Sequence, residues 1–182
     1  MAVLILVFAV ITPLGLLARA IADSNYAKNQ VTAYYLAQEG LELVINKRDE
    51  NLLPEGNQSA DWLADLEDCI GNQYCQIDIN SSQEVEADEC NWTEEVPNND
   101  CRLYIEDEED GRYTTDIGAA PSLFYRSINI EEREDNSAVV KSLVLWTNKG
   151  KPVSVELATV VYNYEVPPPE DGSLPVEEGE LL

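Results

Sequence analysis

The spacing of apolar positions changes along the chain, and each change marks a different element. From Met1 to Ala18 the residues are almost all apolar, and no charged side chain occurs before Arg19. Beyond it the spacing becomes helical. Val31, Tyr34, Gln38, Leu41 and Ile45 recur at steps of three and four, and Ala27 extends that face backwards. Ala33, Ala37, Gly40 and Val44 form a neighbouring strip of small residues, open to close approach by another helix or by the chain's own sheet. One helix is predicted, ending near Asn51. There Lys47 and Arg48 suit the negative end of the dipole and Pro54 blocks continuation. Unbroken, it would be about 75 Å long, too long to be buried in a domain of this size. Pro13 and Gly15 predict a kink or a locally melted turn at Thr12–Gly15.

After a loop at Glu55–Ser59, Trp62, Leu63 and Leu66 predict a short helix within Ala60–Cys69. The period then falls to two. Strands are predicted at Gln76–Ile79, around Leu103 and Ile105, at Tyr113–Ile117, at Ser122–Glu131 with Phe124, Ile128 and Ile130 on one side, at Val139–Trp146 and at Val153–Tyr164. Glu106–Gly111 and Asn148–Gly150 read as hairpin turns. Val153, Val155, Leu157 and Val161 share a face that should lie on the helix. From Val166 onward three prolines and many acids read as a disordered tail. The fold class is α+β: a long N-terminal helix with an apolar spike, packed by its second half on an antiparallel sheet. It divides into 1–19, a transmembrane or filament-core half of the helix; 20–52, the amphipathic half; 53–165, an extracytoplasmic sheet domain; and 166–182, the acidic tail.

Composition narrows the chemistry. The 182 residues carry a formal charge of −24, with the acids crowded between Asp49 and Asp110. Such a surface repels phosphates, so no nucleic-acid partner is expected. There is no histidine, which removes the commonest general base and metal ligand and any Ser-His-Asp or Cys-His arrangement. No phosphate-binding glycine loop or nucleophile elbow is present, so no enzyme activity and no cofactor are expected. Four cysteines in a region expected to be extracytoplasmic read as disulfides. Of three possible pairings, Cys69–Cys75 and Cys90–Cys101 close the shortest loops; the spacings lack the knuckles of a zinc site. Glu106, Glu108 and Asp110, with Gly111 in sixth place, partly match a calcium-binding loop, but Ile117 stands where its last carboxylate belongs. A charged hairpin tip is the stronger reading. The sequons at Asn57, Asn80 and Asn91 are short patterns that arise by chance.

The order of elements resembles the type IV pilins and the pseudopilins of type II secretion. The segment Tyr34-Tyr-Leu-Ala-Gln-Glu-Gly-Leu-Glu-Leu-Val-Ile-Asn-Lys-Arg-Asp-Glu50 is similar to the post-membrane helix of prepilin-like proteins with an N-terminal cleavage and methylation segment. Trp62-Leu63 and Phe124-Tyr-Arg-Ser-Ile-Asn-Ile130 fit the same type. The resemblance implies a non-enzymatic structural subunit, pilin or pseudopilin and expected to be a minor one, held in the inner membrane before assembly and in a cell-surface filament afterwards. Its partners would be the membrane, copies of itself and other pilin-like subunits. Val3, Leu4, Leu6, Val7, Val10, Leu14 and Leu17 would pack in membrane and filament core, and Pro13 and Gly15 would let the spike bend. The family's leader, a glycine followed by Phe-Thr-Leu-Ile-Glu, is not present; Met1-Ala-Val-Leu-Ile-Leu would follow such a motif directly.

Two other readings compete. Ala18-Arg19-Ala20 has the form of a signal-peptide cleavage site, which would leave Ile21 as the start of a secreted domain. Alternatively the chain is a single-span surface protein that binds with its sheet and never polymerises.

Overall fold

The computed structural model describes residues 2–53, 61–79, 84–92, 99–106 and 111–164, with side chains from Leu16 onward. The helix, α1, spans Ala2–Leu52. Its backbone is helical through Thr12–Gly15, so the locally melted turn expected there does not form. Among the described residues seven strands follow in one antiparallel sheet: β1 (Cys75–Ile79), β2 (Val85–Glu89), β3 (Arg102–Ile105), β4 (Tyr113–Thr114), β5 (Ala120–Glu132), β6 (Ser137–Asn148) and β7 (Lys151–Tyr162). The loop at Glu55–Ser59 and the tail from Val166 lie outside the described residues.

The three long strands form the platform. β6 pairs with β5 along Phe124–Glu132 and with β7 along the whole of Lys151–Tyr162. Lys149 and Gly150 alone join β6 to β7, at φ 51° and 76°. That is the twist a two-residue hairpin needs, and Gly150 adopts it without a side-chain penalty. The other edge of β5 is shared: β3 pairs with it over Ala120–Tyr125 and β1 meets it at Cys75↔Ile128. β2 and β4 extend these two partners outward.

Alternation sends Phe124, Ile128 and Ile130 of β5, and Ala138, Val140, Val144 and Trp146 of β6, towards the helix, and all are buried. Val153, Val155 and Leu157 are half-buried on that side and Val161 is buried, as their spacing predicts. The helix meets them with its small strip. Ala33, Ala37, Gly40, Val44, Lys47 and Asn51, at steps of four and three, are all buried. Of the other predicted strip, Val31, Tyr34 and Gln38 are exposed, while Leu41 is buried and Ile45 packs against the core. Small residues win the sheet because the helix must come close to four strands, β1, β5, β6 and β7. Each large side chain buried here contributes about 1.5–3 kcal/mol.

Three expectations change, and one strand is unanticipated. Trp62–Asp65 forms turns and Glu67–Cys69 a 3-10 helix, rather than an α-helix. Asp61 accepts from the Leu63 N–H at 3.0 Å, a local bond that competes with helix. The return strand stops at Thr114, because Asp116 turns the chain by accepting the Gly118 N–H at 2.8 Å; Ile117 is left 82 % exposed. β2, Val-Glu-Ala-Asp-Glu, has no apolar alternation to betray it. Lys47 and Arg48 do not serve the helix end, whose last turn has no basic residue. Lys47 pairs with Asp65 at 2.9 Å, and Arg48 donates to the Tyr162 carbonyl at 2.9 Å.

The disulfides are Cys69–Cys75 and Cys90–Cys101, with Cα separations of 4.8 and 5.3 Å. All four cysteines are buried. Restricting the unfolded chain over such short loops is worth about 2–3 kcal/mol each. Reduction should therefore lower the urea midpoint by an amount that Cys69→Ala/Cys75→Ala and Cys90→Ala/Cys101→Ala reproduce when combined. A midpoint indifferent to reductant would mean the bridges contribute nothing.

Candidate functional site

The helix and the sheet part company at Tyr26, whose ring rests on Trp146 with centroids 6.3 Å apart. Beyond that contact, towards the N-terminus, Leu16, Leu17 and Ile21 are 62, 57 and 56 % exposed. From Ala2 to Tyr26 the helix continues for about 36 Å. Of the residues expected in membrane and filament packing, Leu17 is described and has no cover. The side chains of Val3, Leu4, Leu6, Val7, Val10, Pro13, Leu14 and Gly15 lie outside those described. Among the described residues no helical stretch is long and apolar enough to cross a membrane. Towards the domain, Val31, Tyr34 and Tyr35 extend the exposed apolar surface at 56, 49 and 64 %.

Beneath the helix the core is divided in two. One cluster gathers Leu43, Val44, Leu63, Leu66, Ile77, Ile128 and Val140; the other gathers Ala33, Leu36, Ala37, Leu103, Phe124, Val144 and Trp146. Gly40, Arg126 and Ser142 occupy the positions between them, and all three are buried. The Arg126 guanidinium donates to the Leu36 carbonyl and the Glu39 carboxylate at 3.2 Å, and to the Ile77 carbonyl at 2.5 Å. Burial pulls this guanidinium below the ordinary arginine range, and Glu39 and then Asp78 oppose that shift. The position follows from strand register. Continuing Cys75↔Ile128 would set Ile77 opposite Arg126, but no ladder pair forms there and the guanidinium takes the carbonyl instead. Asp78, next along β1, accepts from Thr114 Oγ1 at 2.7 Å and from the Thr115 N–H at 2.8 Å, fastening β1 to the β3–β4 hairpin.

Two acidic grooves flank β1 and β2. One, of about 690 Å³, is lined by Asp78, Glu86, Asp88, Glu106 and Asp116 with Arg112, which pairs with Glu106 at 3.2 Å. The other, of about 640 Å³, lies at the helix end around Lys47, Asn51 and Asp65. Of the weak calcium candidates, Glu108 and Asp110 lie outside the described residues, and Glu106 is committed to Arg112. No three described acidic or cysteine side chains are arranged to hold a metal ion. Asn91 donates to Asp100 at 3.1 Å.

Reading the sequence overlooked Arg126, Asp78 and Asn51. Arg126 had a usable signal: it stands at an inward position of a strand whose other inward positions are Phe124, Ile128 and Ile130. Comparison with family models, with curated proteins and with solved structures found no match to this chain in any of the three.

Proposed function

We propose that this chain is a structural subunit of a type IV pilus-like filament, a pilin or pseudopilin, which assembles through its N-terminal helix. One observation carries the reading: the helix outruns its own domain, and its uncovered part presents apolar side chains, with Leu16, Leu17 and Ile21 all more than half exposed. Exposed apolar surface of this extent calls for a lipid or protein cover. A bilayer would supply it before assembly, and the helices of other subunits would supply it afterwards. The sheet domain, knit by two disulfides, would face outward at the cell surface. The acid excess and the lack of histidine agree with a structural rather than a catalytic part.

The test is Leu17→Glu/Ile21→Glu in the full chain, expressed in native membranes. Each substitution removes a contribution of about 1.5–3 kcal/mol from helix burial. Membrane retention and sedimentable filament material should both fall at least tenfold. The domain's urea midpoint should stay unchanged, because neither side chain touches the sheet. A wild-type chain that is found free of membranes and never sediments would sink the reading.

A further inference from the structure

Arg19 and Lys28 form no ion pair among the described residues. Up to Gln38 the chain carries Arg19 and Lys28 against Asp23, in a molecule of net charge −24. Lys28 is exposed. At about 100° per residue it shares a face of the helix with Val31 and Tyr35, which are 56 and 64 % exposed, and Tyr35 borders the β3–β4 hairpin at Gly111–Tyr113. A cation flanked by exposed apolar side chains is presented to something outside the subunit.

At the other end of the same helix lies a groove of the opposite charge. The 640 Å³ groove is lined by seven carboxylates, among them Asp65, Glu67, Asp68 and Asp88, against the single cation Lys47. Its wall also contains Asn51, only 6 % exposed. The Asn51 amide nitrogen is used, donating to the carbonyls of Ala64 at 2.9 Å and Trp62 at 3.3 Å. Its Oδ1 is buried and has no hydrogen-bond partner among the described residues. A buried acceptor left without a donor is costly, and an ammonium group supplies three donors.

We propose that this groove receives Lys28 of a second copy of the chain, an inference that rests on the filament reading above. Lys28 and Asn51 are 23 residues apart on one helix; in the parallel arrangement that the filament reading requires, the two copies would be displaced by about 35 Å along the axis. Such a contact joins different surfaces of the two subunits. It does not close on itself and so repeats into an open filament. The face carrying Lys28, Val31 and Tyr35 then packs beside the neighbour's helix end, and the charge asymmetry sets the direction of stacking.

The experiment uses full chains, half of them isotope-labelled, assembled in native membranes and treated with a zero-length carbodiimide. Mixed-label peptides joining Lys28 to a carboxylate within 65–68 or 84–88 are expected. Lys28→Glu should cut the assembled yield at least tenfold, and adding Glu67→Lys/Asp68→Lys to that variant should restore most of it. Lys149→Glu, an equal charge change in the exposed β6–β7 turn, should leave the yield unchanged. If wild-type filaments form but give no such cross-link, and Lys28→Glu assembles normally, the groove contact is wrong while the filament reading stands. If the wild-type chain forms no assembly at all, the filament reading fails and takes this contact with it.

Discussion

Replacing Arg126 with methionine should cost the sheet domain about 3–5 kcal/mol, the range seen when one partner of a buried ionic network is removed. Methionine fills much of the same volume, so the loss is in hydrogen bonding rather than in a cavity. The Ile77 carbonyl loses its donor at the point where no strand ladder replaces it, and the Leu36 carbonyl and Glu39 lose the link between helix and sheet. Glu39 is itself 44 % exposed and can turn to water, so the cost falls mainly on the two buried carbonyls. Lysine at the same place should recover only part of the loss, since one ammonium cannot span three acceptors held apart by a guanidinium fork. Urea titration reads the result as a lower midpoint. Amide exchange should locate it, with protection lost first at Ile77–Ile79, where β1 separates from β5. Equal stability of the arginine and methionine proteins would show that the divided core does not depend on this bridge.

The parts of the fold that could be read from sequence are those where one pattern controls one surface. The helix from Ala33 to Asn51 and the strands β5 to β7 were legible because each carries a periodic apolar face that packs in the core. Their apolar residues are therefore dense and regular. Cys69–Cys75 and Cys90–Cys101 were legible because short loops close at low entropic cost. What was hidden is set by tertiary register. β2 is an acidic edge strand held mainly by its pairing to β1, so nothing local distinguishes it from a loop. Which helix face meets the sheet was also hidden, because two adjacent strips had the right period. The choice fell to residue size: Ala33, Ala37 and Gly40 admit the sheet, while Tyr34 and Tyr35 would hold it off. Asn51 became a groove residue only because the turns after Trp62 fold back to occupy its amide nitrogen. The apolar run of the first eighteen residues was evident from sequence, while the side chains of its first fifteen lie outside those described.

A leucine at Gly40 should destabilise the domain by about 3 kcal/mol, and an alanine there should cost about 1 kcal/mol although alanine is the better helix former. In an exposed helix the alanine would gain up to about 1 kcal/mol. Here a Cβ on residue 40 would lie 2.8 Å from both Ile128 Cδ1 and Ser142 Oγ, and 3.2 Å from Arg126 Cδ. All three are movable parts of side chains, but they belong to residues no more than 1 % exposed, so each shift is passed to another packed group. The helix crosses the sheet closely at this level so that the Arg126 stem can pass beneath it and reach Leu36 and Ile77. Gly40 and Arg126 are thus two halves of one arrangement. A double-mutant cycle tests this. Ile128→Val removes the clashing Cδ1 and alone should cost about 1 kcal/mol. Combined with Gly40→Ala, the total should be at least 0.5 kcal/mol less than the sum of the two single losses, a coupling expected of residues in contact. Strict additivity, or a Gly40→Ala protein more stable than the wild type, would show that the glycine is not required for the close approach of helix and sheet.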